Sequence, residues 1–202
     1  MKSNHSPPLC GLVLAGGRSQ RMGTDKAALL HPDGRTLARR SYDLLVEAGC
    51  KTVAISLRHE QDLPPGFDDL PAVQIARDPE GPSQGPLGGM IAAMQMHPEA
   101  AWLVLACDLP RLDSDSLRNL TLSIRPDEAF LAYRSEFDGL PEPLCALYAA
   151  GCLIVLQQAQ ADGIRCPRKV LIRHQCRLLE PHTPRALENA NTAEDWQTAT
   201  IP

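Results

Sequence analysis

The sequence predicts an α/β fold in which helices cover both faces of a mostly parallel β-sheet. Short apolar runs alternate with segments of helical period along the chain, which is the pattern of repeated strand–helix units. The chain has 202 residues, of which 44% are hydrophobic and 22% charged, as in an ordinary globular protein with a core of its own. Because no linker, low-complexity tract or internal repeat interrupts this pattern, residues 1–202 are expected to form a single domain.

The individual elements follow from local patterns. Residues 10–15 form an apolar run that leads into glycines, and residues 36–48 have an apolar face of helical period that ends at Gly49. Pro86 suits the first turn of a helix, and Asp113 or Ser114 suits a helix cap.

Further strands are predicted at Thr52–Leu57, 73–76, 102–106, 129–133 and 144–148. Further helices are predicted at 87–96, 114–124, Cys152–Ala161, Pro167–Arg173 and 195–200. Together these elements predict a three-layer, Rossmann-like fold.

Charge and composition exclude several classes of function. The net charge of −4 gives no reason to expect nucleic acid or an acidic membrane as a partner. The first eight residues lack the pattern of a signal peptide, and no apolar run approaches the roughly 20 residues that span a bilayer. The seven cysteines include no C-x-x-C pair, which favours reduced, packed thiols. A cytoplasmic protein is therefore expected.

Three unusual loops, at 16–26, 78–89 and 107–110, each follow a predicted strand. Since ligands of open α/β sheets bind at the carboxyl ends of the strands, these loops should meet at one ligand-binding edge.

The first loop reads L-A-G-G-R-S-Q-R-M-G-T-D-K from Leu14 to Lys26. Glycines allow the backbone to approach phosphates and present N–H groups, while Arg18, Arg21 and Lys26 supply cations. The loop lacks the spacing of the Walker A motif and of the G-x-G-x-x-G dinucleotide motif. A plain glycine turn between a strand and a helix is the alternative.

Asp108 lies just beyond the clearest buried strand, the apolar run at 102–106. A carboxylate at this position is suited to a hard cation such as Mg²⁺, which usually takes one or two carboxylates together with substrate phosphates. The alternative is an aspartate that only stabilises a turn before Pro110.

These motifs resemble those of the molybdenum cofactor guanylyltransferases, which are nucleotidyltransferases with a fold like that of nucleotide-diphospho-sugar transferases. The resemblance covers nearly the whole chain: it includes the first loop, G-P-L-G-G at 85–89, C-D-L-P at 107–110 and N-A-N-T-A-E-D at 189–195. It implies transfer of GMP from GTP to the phosphate of molybdopterin, with Mg²⁺ as cofactor and pyrophosphate as the second product. Transient contact with proteins that deliver or accept the molybdenum cofactor is a further expectation, because such cofactors are unstable when free.

The resemblance assigns roles to individual positions. The implied catalytic residues are Lys26, Arg21 and Asp108, and Asp108 is the implied metal ligand. The implied nucleotide-binding residues are Leu14, Ala15, Gly16, Gly17, Arg18, Lys26, Ser56, Asp78, Gly85, Pro86, Leu87, Gly88 and Asp108. Ser56 stands where the family often has asparagine, which is a departure from the family pattern.

The acceptor side is predicted from two segments. Asn189 and Asn191 match the family's N-x-N motif, which lies near the acceptor. Arg165, Arg168 and Lys169 are candidates for the acceptor phosphate, although a basic face exposed to solvent is an equal alternative. Use of CTP, transfer to another acceptor such as a sugar phosphate, and a non-catalytic nucleotide-binding module all remain open on the sequence.

Overall fold

The computed structural model describes residues 7–17, 25–78, 85–183 and 185–190. In this part of the chain, seven strands form one sheet in the order β3-β2-β1-β4-β6-β5-β7. The strands are β1 (Leu9–Leu14), β2 (Thr52–Leu57), β3 (Gln74–Arg77), β4 (Ala101–Ala106), β5 (Phe130–Arg134), β6 (Pro141–Tyr148) and β7 (Arg177–Leu179). The helices are α1 (Leu37–Glu47), α2 (Gly85–Met94), α3 (Ser114–Ser123), α4 (Cys152–Ala161) and α5 (Pro167–Arg173).

The sheet is mostly parallel, as predicted, and only β6 runs antiparallel to its neighbours β4 and β5. A short hairpin joins β5 to β6, since the amide of Ser135 donates to the carbonyl of Leu140. A hairpin of this length can only join antiparallel strands. As a result, β6 begins at the edge of the sheet where β4 ends.

Each face of the sheet carries its own core, which confirms the predicted three layers. On one face α1 and α3 pack through Leu45 and Leu117. On the other face α2, α4 and α5 pack through Met90, Leu156 and Val170. Successive residues of β4 alternate between the two cores, as expected for a strand that is covered on both faces.

The predicted cap of α3 and the predicted end of α1 are confirmed, whereas α2 begins and ends two residues earlier than predicted. Asp113 caps α3, with its carboxylate accepting from the amide of Ser116 at 2.7 Å. Gly49 follows α1 in the left-handed conformation, with φ of +99°. The helix predicted at 195–200 lies outside the described residues.

Two elements were not predicted: the short strand β7 and a 3₁₀ helix at Lys26–Ala28. Neither contains an apolar run long enough to produce a periodic pattern. Strand β7 exists because it pairs with the outer edge of β5. Among the described residues, no helix has the length and apolar character that a membrane crossing requires. The seven cysteines are free thiols, and five of them are buried.

Candidate active site

The loops predicted to bind a ligand begin at the same edge of the sheet, at the carboxyl ends of the parallel strands. Arg58 and Asp78 directly follow β2 and β3, and Gly16 and Asp108 are the second residues after the ends of β1 and β4. The amide of Ala15 donates to the carbonyl of Ser56 at 3.0 Å, and that of Asp78 to the carbonyl of Leu57 at 2.9 Å. These bonds extend the sheet pairing by one residue and hold the starts of the loops side by side.

Lys26 and Asp108 form the charged centre of this edge. The ammonium of Lys26 lies 3.7 Å from Oδ2 of Asp108, and the two side chains are 16% and 25% exposed. Burial raises the pKa of Asp108, and the positive charge of Lys26 opposes that rise. The carboxylate therefore sits where a further positive charge is favourable.

The C-terminal segment reaches the same point. The amide of Ala190, which is buried, donates to the carbonyl of Asp108 at 3.0 Å. This bond places the exposed Asn189 next to the Asp108 turn. Asn191 lies outside the described residues, so its predicted role stays a prediction.

The first loop is described at its two ends. Leu14, Ala15, Gly16 and Gly17 lead out of β1, and the chain resumes at Asp25, directly before Lys26. Gly16 lies against the end of β2, because an added Cβ would be in van der Waals contact with the backbone nitrogen of Arg58 at 3.4 Å. Arg18 and Arg21 lie outside the described residues.

Gly89 of α2 packs against the carboxyl ends of β2 and β3. A Cβ on Gly89 would overlap Oγ of Ser56 and lie 3.3 Å from Oδ1 of Asp78. Burial raises the pKa of Asp78, whereas the charge of Arg58 lowers it. Ser56 and Asp78 are far apart in the sequence, but both side chains lie against Gly89. A residue with a side chain at position 89 would occupy the space that they now fill.

The start of α2 lies beside the predicted acceptor loop. Gly85 has a φ of +65°, and a Cβ there would lie 3.3 Å from the carbonyl of Arg165. Pro86 is exposed, whereas Leu87 and Gly88 are buried against the sheet. The segment G-P-L-G-G thus connects the sheet edge with the loop that carries Arg165.

The three predicted acceptor cations have different surroundings. Arg165 and Lys169 have exposed side chains. Arg168 donates to Asp138 at 2.8 Å and to Glu142 at 3.1 Å. Burial raises the pKa of Glu142, and the charge of Arg168 opposes that rise. Since two carboxylates already neutralise Arg168, it is less suited to an added phosphate than its two neighbours.

Sequence reasoning missed the polar residues directly after β2. The guanidinium of Arg58 donates to the carbonyls of Gly16 and Gly17, at 3.3 and 3.0 Å. The buried amide of Gln61 donates to the carbonyl of Ala15 and to the carboxylate of Asp25. The only signal in the sequence was that Arg58 and Gln61 follow a predicted strand. Polar residues at such places lie at the ligand-binding edge of an open parallel sheet.

Comparison with known proteins agrees with this arrangement. The profile of the MobA-like NTP transferase domain family matches residues 11–183. The chain belongs to this family. This membership confirms the prediction made from the loop motifs.

Curated members of the MobA-like family cover nearly the whole chain. A protein named molybdenum cofactor guanylyltransferase from Pseudomonas putida is 31% identical over 95% of this chain and 97% of its own length. A probable molybdenum cofactor guanylyltransferase from Nostoc is 35% identical over 93% and 88%. A molybdenum cofactor biosynthesis bifunctional protein from Synechocystis is 36% identical over 94% of this chain, which spans only 53% of that relative.

Solved structures show the same fold. The molybdopterin-guanine dinucleotide biosynthesis protein A of Archaeoglobus fulgidus superposes with a TM-score of 0.70 at 22% identity, over 95% of this chain and 96% of that one. A nucleotidyl transferase from Methanothermobacter thermautotroptrophicus gives a TM-score of 0.72 at 16% identity, over 96% of both chains.

The donor set of this MobA-like site fits a divalent cation that is shared with a substrate. Asp108 offers a hard oxygen ligand at the centre of the edge. Across the described ranges, no three His, Cys, Asp or Glu side chains are grouped as metal ligands. Mg²⁺ in nucleotide sites usually combines one or two carboxylates with substrate phosphate oxygens and water, and Asp108 can supply such a carboxylate.

Replacement of Gly89 by alanine is expected to raise the KM for the nucleotide about tenfold, because the new methyl group displaces the Ser56 hydroxyl from the edge. The free energy of unfolding should change little, since alanine favours the helix by about 1 kcal/mol and offsets part of the strain. Steady-state kinetics and chemical denaturation measure the two effects.

The control for this prediction is the double variant Gly89→Ala, Ser56→Ala, in which the overlapping oxygen is absent. It should recover the KM of the Ser56→Ala variant. An unchanged KM in Gly89→Ala would contradict the assignment of this contact to the nucleotide site.

Proposed function

We propose that this chain transfers GMP from GTP to the terminal phosphate of molybdopterin and releases pyrophosphate. The observation that carries the proposal is the Lys26–Asp108 pair, which a glycine-rich loop and a buried strand bring together at 3.7 Å. Support also comes from the names of the curated relatives, most of which match this chain over most of their own length.

The reaction forms one phosphorus–oxygen bond and breaks another. An oxygen of the molybdopterin phosphate attacks the α-phosphorus of GTP, and the bond between the α-phosphorus and the bridging oxygen to the β-phosphate breaks. Because a phosphate monoester is already ionised at neutral pH, its attack needs no general base. Catalysis then depends on positioning and on neutralisation of charge.

In this proposal Lys26 lies beside the triphosphate and offsets the charge that builds on the departing pyrophosphate. Arg21 is assigned the same task from the sequence. The backbone of Leu14, Ala15, Gly16 and Gly17, with Arg18, lines the phosphates. Asp108 would hold Mg²⁺, which supplies positive charge to the phosphate oxygens when it is bound.

The guanine base is assigned to the edge formed by Ser56, Asp78 and the G-P-L-G-G segment. Asp78 directly follows β3, and its carboxylate lies close to the position of Gly89. A carboxylate of this kind suits the N–H donors on the Watson–Crick edge of guanine or the hydroxyls of ribose. The small side chains of the G-P-L-G-G segment suit a flat, rigid wall against a purine.

The acceptor is assigned to the adjoining end of the site. Arg165 and Lys169 would bind its phosphate, and Asn189 and Asn191 would border it. Arg168 is expected to order the acceptor loop through Asp138 and Glu142. This division makes Arg165 and Lys169 the stronger candidates for direct contact.

A pyrophosphate-release assay with purified protein tests the proposal. GTP, CTP, ATP and UTP are supplied one at a time with Mg²⁺, each without an acceptor, with molybdopterin or with a sugar phosphate, and parallel samples contain EDTA. Release is expected only with GTP, molybdopterin and Mg²⁺ together. Release with CTP or with a sugar phosphate would transfer the proposal to another substrate, and binding of GTP without release in any combination would indicate a non-catalytic module.

A further inference from the structure

The side chain of Gln61 connects the two described ends of the first loop. Its Nε2 donates to the carbonyl of Ala15 at 3.0 Å and to the carboxylate of Asp25 at 2.7 Å. Its Oε1 accepts from the backbone amide of Arg58 at 3.1 Å. The residue is buried, and both amide hydrogens and the oxygen are used.

The two ends are otherwise held by different parts of the fold. Ala15 belongs to the end of β1, through its bond to Ser56. Asp25 caps the 3₁₀ helix that starts at Lys26, with Oδ1 accepting from the amide of Ala27 at 3.0 Å. Gln61 therefore sets the distance between the backbone that leaves β1 and the residue next to Lys26.

The turn that carries Gln61 is itself fixed. The guanidinium of Arg77 donates to the carbonyls of Arg58, His59 and Gln61 at 2.8 to 3.1 Å. The amide of Gln61 donates back to the carbonyl of Arg58 at 3.1 Å. A buried side chain that is hydrogen-bonded at both ends of its amide and lies on a fixed turn is suited to positioning its partners, because little freedom remains to be lost when the ligand binds.

We propose that Gln61 is a positioning residue for nucleotide binding, which acts by holding Ala15 and Asp25 in register so that Lys26 faces Asp108. The proposal rests on the function assigned to the first loop above. It predicts a specific chemical requirement at position 61, namely two hydrogen-bond donors that face a carbonyl and a carboxylate.

Glutamate at position 61 has the shape of glutamine but the opposite chemistry. It would place a second carboxylate against Asp25 and a negative charge against the carbonyl of Ala15. Both contacts then become repulsive, and the two ends of the loop should separate. The bond from the amide of Arg58 survives, so the turn itself is retained.

The test compares Gln61→Glu with Gln157→Glu, which makes the same chemical change at an exposed position on α4. The readouts are the affinity for GTP with Mg²⁺ by calorimetry, the free energy of unfolding, and hydrogen exchange at the amides of Ala27 and Arg58. Gln61→Glu is expected to weaken GTP binding about 100-fold, by analogy with the loss of a hydrogen bond to a charged group together with new repulsion. Gln157→Glu should leave the affinity unchanged.

A rescue variant separates positioning from a merely structural role. In Gln61→Glu, Asp25→Asn the donor and the acceptor change places, and asparagine still caps the 3₁₀ helix. This double variant should recover about tenfold of the lost affinity and return the exchange rate of the Ala27 amide toward that of the unmodified protein.

Three outcomes overturn the inference: a GTP affinity in Gln61→Glu equal to that in Gln157→Glu, a loss that the swapped pair does not reduce, or a loss fully explained by unfolding. Failure of the proposed function is distinguishable from these. If the unmodified protein binds GTP without transferring it, the affinity comparison still decides the role of Gln61. If it does not bind GTP at all, the role in nucleotide binding fails together with the proposed function, and exchange at Ala27 in Gln61→Glu and in the swapped pair then tests only whether Gln61 positions Asp25.

Discussion

Replacement of Asp108 by asparagine is expected to lower the turnover number with GTP and molybdopterin about 1,000-fold, the scale of several kcal/mol that a catalytic metal contributes. Asparagine keeps the size of the side chain but removes the charge that would bind Mg²⁺. It also removes the carboxylate that lies 3.7 Å from Lys26. Turnover is measured by pyrophosphate release across a range of Mg²⁺ concentrations, because a weakened metal site should shift this dependence as well as the maximal rate.

The fold should survive this substitution. Burial raises the pKa of Asp108. The ionised carboxylate therefore lowers the free energy of unfolding, and its loss in asparagine should not destabilise the fold. Asp127→Asn makes the same change at an exposed residue before β5 and should retain normal turnover. Near-normal turnover in Asp108→Asn at saturating Mg²⁺ would contradict the proposed mechanism.

Replacement of Lys26 by methionine is expected to lower kcat/KM for GTP about 100-fold, because removal of one charged phosphate contact costs roughly 3 kcal/mol. Methionine retains most of the unbranched side chain and removes the ammonium. Part of the effect should appear in kcat, since the negative charge on the leaving pyrophosphate increases in the transition state. Steady-state kinetics with GTP as the varied substrate separate the two contributions.

Lys51→Met, at an exposed lysine before β2, is the matched control and should have unchanged kinetics. Lys26→Arg keeps the positive charge but changes its geometry, so we expect an intermediate rate. Equal kinetics for Lys26→Met and Lys51→Met would show that Lys26 does not contact the nucleotide.

The ligand-binding edge could be predicted from the sequence because it depends on local patterns. The apolar runs that became β1, β2 and β4 lie within one or two residues of their predicted bounds. The strands β1, β3 and β4 are each followed by a loop with an unusual composition, and the carboxyl ends of parallel strands meet at the same edge of a sheet. The positions of Gly16 and Asp108 at that edge followed without any knowledge of contacts.

The electrostatic partners could not be predicted in this way. Arg168 was proposed for the acceptor phosphate because it lies among other basic residues, yet in the fold it pairs with Asp138 and Glu142 from the β5–β6 hairpin and strand β6. The antiparallel direction of β6 places these carboxylates at the edge. A run of charges in a sequence gives the sign of each residue but not the counter-charges that the sheet brings to it.

The glycine-rich loop and the aspartate after the buried strand were determined by the sequence itself, since glycine content, charge and apolar periodicity are properties of neighbouring residues. The tertiary structure decided how they work together. It set Lys26 beside Asp108, placed Gly89 against Ser56 and Asp78, and placed the amide of Gln61 between Ala15 and Asp25. These relations are distances between residues far apart in the chain, and only strand register and helix packing fix such distances.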